Sequence, residues 1–105
     1  NNTVYRNANG IQVSVGPTAR GNRVFDNAGT GIDIGNSGVA EGNRVYDNST
    51  GISESSGRVA NNLVYDNRVE GISTSGYRNA GFDGVFNNTV VQPVGNAITV
   101  RGGAS

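Results

Sequence analysis

Three aspartates, Asp26, Asp47 and Asp66, stand at steps of 21 and 19 residues, each between an aromatic ring and an asparagine. The three phrases are Phe25-Asp26-Asn27, Tyr46-Asp47-Asn48 and Tyr65-Asp66-Asn67. Arg23 and Arg44 keep the same rhythm, each two residues before a ring. Carboxylates stacked in a column are hard oxygen ligands of the kind Ca²⁺ takes, and a cation would relieve their mutual repulsion. Asp beside Asn is also ordinary turn chemistry, and that is the stronger reading of the three aspartates. Rings flanked by guanidinium and carboxylate groups suit sugars, whose C–H faces stack while their hydroxyls take hydrogen bonds. Arg23, Phe25, Arg44, Tyr46 and Tyr65 are therefore the candidate ligand face, with Tyr5 below them. The alternative is that the rings stack on one another to hold the chain in register, at about 0.5–1.5 kcal/mol per pair. That reading is favoured, because self-stacked rings offer a ligand their edges rather than their faces.

Acid–base chemistry finds little here. The chain of 105 residues has no histidine, no cysteine and no lysine. Its aspartates belong to the repeat, whereas catalytic acids and bases are pairs whose surroundings push their pKa values apart. No catalytic residue is assigned. Without cysteine there are neither disulfides nor thiolate metal sites. The 8 arginines balance the 8 acidic residues, so the formal net charge is zero. Nucleic-acid or anionic-membrane binding would call for a basic surplus. No apolar run approaches the roughly 20 residues of a membrane span, so membrane insertion is not expected. The 17 glycines and many asparagines would suggest loops or disorder were they not periodic.

The candidate residues are periodic because everything around them is. Asn-x-Val followed by a ring or valine begins at Asn2, Asn22, Asn43, Asn62 and Asn88, giving steps of 20, 21, 19 and 26 residues. A second phrase follows each: Gly10-Ile11, Gly31-Ile32, Gly51-Ile52, Gly71-Ile72 and Ala97-Ile98. A third column precedes each later asparagine: Ala19, Ala40, Val59 and Val85. A glycine every six residues or so excludes helix, where each would cost about 1 kcal/mol. Short runs of alternating polarity between turn residues read as strands. Three such strands per repeat form a coil, and coils stacked about 4.8 Å apart lay identical residues on one another. Val4, Val24, Val45, Val64 and Val90 should then point inward with the isoleucines, each burial contributing roughly 1.5–3 kcal/mol. The asparagine ending each first strand, Asn7, Asn27, Asn48 and Asn67, should turn the corner in the left-handed conformation and hydrogen-bond along the stack. The sequons at Asn1, Asn48 and Asn87 read as by-products of an asparagine-rich repeat.

"NNTVYRNANGIQV", "GNRVFDNAGTGIDI" and "NNLVYDNRVEGIST" resemble the repeats of right-handed parallel β-helix proteins, the pectin-lyase-like group. That group includes polysaccharide lyases, alginate-epimerase-type modules and non-catalytic surface proteins. The resemblance covers almost the whole chain. It implies an all-β right-handed parallel β-helix of about five coils, with three short strands per coil, forming one domain over residues 1–105. It also implies a larger parent protein, bacterial and either secreted or at the cell surface, with a polysaccharide as partner. Two functions follow as expectations: a non-catalytic structural or carbohydrate-facing segment or, as the alternative, an enzyme acting on acidic polysaccharide. The histidine-containing acidic motif of the epimerase-type enzymes is absent. No cofactor is expected beyond the possible calcium column.

Departures from the repeat carry further expectations. Two residues after each isoleucine stand Val13, Ile34, Glu54, Thr74 and Val100. Alternation would bury Glu54 near Thr74, and a local twist freeing it to solvent is the favoured outcome. The long step places an insertion at residues 77–86, which carries Tyr77, Arg78, Phe82 and Asp83. It reads either as a functional loop or as a cover on apolar surface. In the fifth coil Pro93 stands at the ladder position, where the missing amide should end the ladder. Arg20 should pair with Glu41 across coils. The first and last coils show no amphipathic helix as a cap, so end-to-end self-association or flanking coils of the parent protein should cover them.

Overall fold

The computed structural model describes residues 1–35, 37–75 and 84–101. Asn36, Tyr77, Arg78, Phe82 and Asp83 lie outside them. The described residues form fourteen strands and no helix: β1 (Thr3–Tyr5), β2 (Ile11–Val13), β3 (Thr18–Arg20), β4 (Arg23–Phe25), β5 (Thr30–Gly35), β6 (Val39–Glu41), β7 (Arg44–Tyr46), β8 (Thr50–Ser55), β9 (Arg58–Ala60), β10 (Leu63–Tyr65), β11 (Glu70–Ser75), β12 (Gly84–Phe86), β13 (Thr89–Val91) and β14 (Asn96–Arg101). Every third strand joins the same parallel sheet. The orders are β1-β4-β7-β10-β13 for the first sheet, β2-β5-β8-β11-β14 for the second and β3-β6-β9-β12 for the third. This is a parallel solenoid with four complete coils and two strands of a fifth.

The register follows the sequence columns. Val4, Val24, Val45, Val64 and Val90 pair in succession. So do Ile11, Ile32, Ile52, Ile72 and Ile98, and Ala19, Ala40, Val59 and Val85. The central members of each column are wholly buried and form one core. Gly84–Phe86, assigned to the insertion, are strand β12 on β9, so the repeat resumes before the insertion was expected to end.

The recurrent glycine before each isoleucine has a packing cause. A Cβ on Gly31 would stand 2.7 Å from the Asn48 side-chain nitrogen, 2.7 Å from the Gly51 carbonyl and 2.9 Å from a Val45 methyl. The corner leaves no room for a side chain between the valine column and the asparagine amides.

Glu54 is where the favoured expectation fails. It is 1% exposed, in register between Ile34 and Thr74. The strand does not twist to release it, because the carboxyl is needed inside. One oxygen accepts the Gly57 N–H at 2.6 Å, and the other accepts the Thr74 hydroxyl. Gly57 opens the corner into β9, and its N–H has turned toward the core, where an apolar residue could not satisfy it.

Candidate functional site

The residues singled out for chemistry come together on the outer side of the first sheet and the turn after it. Within each three-residue strand the middle valine points inward, which leaves its neighbours outside. Arg23 and Arg44 share one outer column with Thr3, Leu63 and Thr89. Tyr5, Phe25, Tyr46, Tyr65 and Val91 form the other.

The rings stack. Centroids lie 5.1 Å apart for Tyr5–Phe25, 5.1 Å for Phe25–Tyr46 and 4.8 Å for Tyr46–Tyr65, with planes within 8° of parallel. Each spacing is close to the strand spacing, so the sheet itself sets the ring separation. Tyr46, in the middle, is only 9% exposed, whereas Tyr5 at the first coil is 47% exposed. The arginines bind this column from the side. Arg23 Nε donates to the Tyr46 hydroxyl at 2.7 Å, and Arg44 Nε donates to the Tyr65 hydroxyl at 2.9 Å. Their guanidinium carbons stand 4.9–5.7 Å from the centroids of the ring beside them and the ring one coil further on. Both arginines are exposed. Arg58 repeats the contact on the third sheet, 4.8 Å from the Phe86 ring.

The aspartates are turn residues. Asp26, Asp47 and Asp66 have φ of 54–55°, and Arg6 at the same place in the first coil has 59°. The left-handed bend expected of the ladder asparagines therefore falls one residue earlier. Asp can take this conformation because its short polar side chain bonds locally. All three carboxylates are exposed, one per coil, and Asp26 faces Arg6 at 3.6 Å. Among the described residues no group of three or more acidic, histidine or cysteine side chains could hold a metal ion.

Released from the bend, the asparagines serve the ladder. Asn27 donates its backbone N–H and its side-chain amide to Asn48 Oδ1, at 3.1 and 2.9 Å. Asn48 donates likewise to Asn67 Oδ1, at 3.0 and 3.4 Å, and Asn7 gives its N–H to Asn27 Oδ1 at 3.0 Å. The amides of Asn7, Asn27 and Asn48 also reach back to the carbonyl two residues earlier, as Asn48 does to Tyr46 at 3.0 Å. Asn48 is fully buried, which closes its sequon. At the fifth coil the rung is filled after all. Gln92, from the neighbouring position, is one methylene longer and accepts the Asn67 N–H at 2.8 Å. Its amide donates to the carbonyls of Asn67 and Val94.

A second ladder was not anticipated. Of the asparagines that open the first strands, Asn2, Asn22, Asn43 and Asn62 each donate N–H and Nδ2 to the Oδ1 of the next, at 2.9–3.2 Å, and the ladder ends on Asn88. Its signal was present, since this asparagine recurs in all five coils. Arg68 is a further staple missed in the sequence. Its guanidinium donates to the carbonyls of Asp47, Asn27 and Ala28 and so spans three coils. Arg20 and Glu41 pair at 2.9 Å, as expected.

A family model described as right-handed beta helix region matches residues 1–105. Together with the parallel three-sheet solenoid, this shows that the chain belongs to the right-handed β-helix family. No curated protein and no solved structure matches it.

Proposed function

We propose that this chain is a non-catalytic structural segment of a larger exported protein, a rigid β-helix that carries neighbouring parts of that protein rather than transforming a substrate. The observation that carries this reading is the closure of the outer face on itself. Rings stack on rings, and the tyrosine hydroxyls at the centre accept from arginines of the coil below. The aspartates serve left-handed turns. Groups that might have met a ligand meet the next coil instead. Export and a polysaccharide-rich setting rest on the resemblance to pectin-lyase-like repeats.

The test is incubation with alginate, pectate and neutral glycans, followed by absorbance of unsaturated sugars and by reducing ends. No product is expected. Product from any of them would make the chain a polysaccharide-active module and overturn the reading.

One observation favours a second, weaker reading, a carbohydrate-facing surface. Arg23 and Arg44 each use Nε on a tyrosine and remain exposed. Binding on a glycan array that is lost in Arg44→Ala, with an unchanged melting temperature, would establish that role. Absence of any binding by the unmodified chain would dismiss it.

A further inference from the structure

Asn9-Gly10 is the one Asn-Gly step in the chain. Asparagine is a thermolabile residue, and most so before glycine, where no side chain shields the next backbone nitrogen from the carboxamide carbon. Packing between the first two coils demands both halves of this pair. Gly10 belongs to the glycine column before the isoleucines, and a Cβ on it would stand 2.7 Å from a Val24 methyl and strike the Gly31 carbonyl. Asn9 answers a mismatch between two corners. Two residues separate Asn7 from Gly10, whereas three separate Asn27 from Gly31. The longer corner therefore brings one more N–H to the joint, and each must find an acceptor.

Ala28 and Gly29 donate to the carbonyls of Asn7 and Ala8, at 2.9 and 2.6 Å. The next donor, the Thr30 N–H, goes to Asn9 Oδ1 at 3.1 Å, so a side-chain oxygen stands in for a backbone one. The Gly10 N–H returns to the Thr30 carbonyl at 2.9 Å. Thr30 thus holds the two groups that deamidation would join, the Asn9 carboxamide by its oxygen and the Gly10 nitrogen by its hydrogen. Asn9 itself is exposed, so water reaches it.

We propose that Asn9 is a deamidation site held shut by Thr30, and that its conversion records the lifting of the first coil from the second. This goes beyond the scaffold role proposed above and does not depend on it. When the corner opens, the Gly10 nitrogen gives its proton to solvent and bonds to Asn9 Cγ. The Cγ–Nδ2 bond breaks, and the nitrogen takes up a proton and leaves as ammonia. The cyclic imide then adds water at one of its two carbonyls, giving aspartate or isoaspartate. Aspartate keeps an oxygen for the Thr30 N–H, and the corner closes again. Isoaspartate carries the main chain through the side-chain carbons and is longer by a methylene. Gly10 then no longer enters its slot with its N–H opposite the Thr30 carbonyl, so the converted coil does not return to register.

Ageing the chain in mildly alkaline buffer tests this, folded in one arm and unfolded in urea in the other. Trypsin then releases Asn9 in a single peptide, residues 7–20, bounded by Arg6 and Arg20. Mass spectrometry of that peptide measures its aspartate and isoaspartate forms. The unfolded chain should convert at Asn9, and the folded chain at least about tenfold more slowly, since only the opened corner reacts. Tyr5→Ala removes the first ring of the stack, 5.1 Å from Phe25, and touches neither Asn9, Gly10 nor Thr30. It should speed conversion in the folded chain. Chain purified with isoaspartate at position 9 should melt below the Asn9→Asp variant. Equal rates in the two arms would overturn the proposal, because Thr30 would then hold nothing shut. So would an unfolded chain that leaves Asn9 intact, and that comparison needs no variant to fold. An unchanged rate in folded Tyr5→Ala would contradict the lifting of the coil, and equal melting of the two products would contradict the loss of register.

Discussion

Asn48 brings two donors, its backbone N–H and its Nδ2, to Asn67 Oδ1, and its own oxygen receives two from Asn27. Removing it leaves partners in both neighbouring coils without an answer in a dry corner. Asn48→Ala should cost about 1–3 kcal/mol in urea unfolding, while Asp33→Ala, at an exposed position of the second sheet, should be nearly silent. Equal effects would contradict the ladder. Glu54 invites a second test. A glutamine there keeps an oxygen for the Gly57 N–H, whereas an alanine removes the acceptor and opens a void. Glu54→Gln should cost less than about 1 kcal/mol and Glu54→Ala about 2–4 kcal/mol by the same measurement. If the alanine variant is no worse than the glutamine, the carboxyl is not what satisfies the corner. At this scale the sequence was least legible. It displayed which positions recur, but not which atom each one uses. Asn27 and Asp26 are adjacent and both suit a left-handed turn, and only the backbone shows that Asp26 takes it. The Gln92 rung was hidden because a longer side chain reaches it from the next position.

At the scale of strands and corners the sequence was nearly transparent, and the reason is physical. Stacked coils impose the same surroundings on the same position, so a column of valines in space is a column of valines at a fixed period. The three apolar columns, the Arg20–Glu41 pair and the ring column were all readable for that reason. The burial of Glu54 was not, because it departs from its column to serve one corner alone. The corners yield a prediction of their own. A methyl group on Gly31 meets an amide nitrogen, a carbonyl and a valine within 3 Å. A methyl group on Gly35, in the same strand, meets only Ser55 atoms at 3.6 and 3.7 Å. Gly31→Ala should therefore destabilise by about 1–3 kcal/mol. Gly35→Ala should be neutral or slightly stabilising, since it restricts the unfolded chain. Thermal melts of the two variants check this, and similar melting temperatures would mean the corner is looser than its geometry.

Across the whole molecule, each coil packs chiefly on the coil above and the coil below, with Arg68 reaching one coil further, so stability is close to a sum of neighbour terms along one axis. The ring column runs through three of those steps on the outside, and the valines through four on the inside. The outer column either holds the coils together or faces a ligand. The most direct measurement is equilibrium urea unfolding of Tyr46→Ala beside Arg44→Ala. Tyr46 lies between two rings and is almost covered, so its loss should cost about 2–4 kcal/mol. Arg44 is exposed and holds its ring from the side, so its loss should cost less than about 1 kcal/mol. Stability unchanged in Tyr46→Ala would contradict the account, because a ring that can be removed without loosening the stack is not there for the stack.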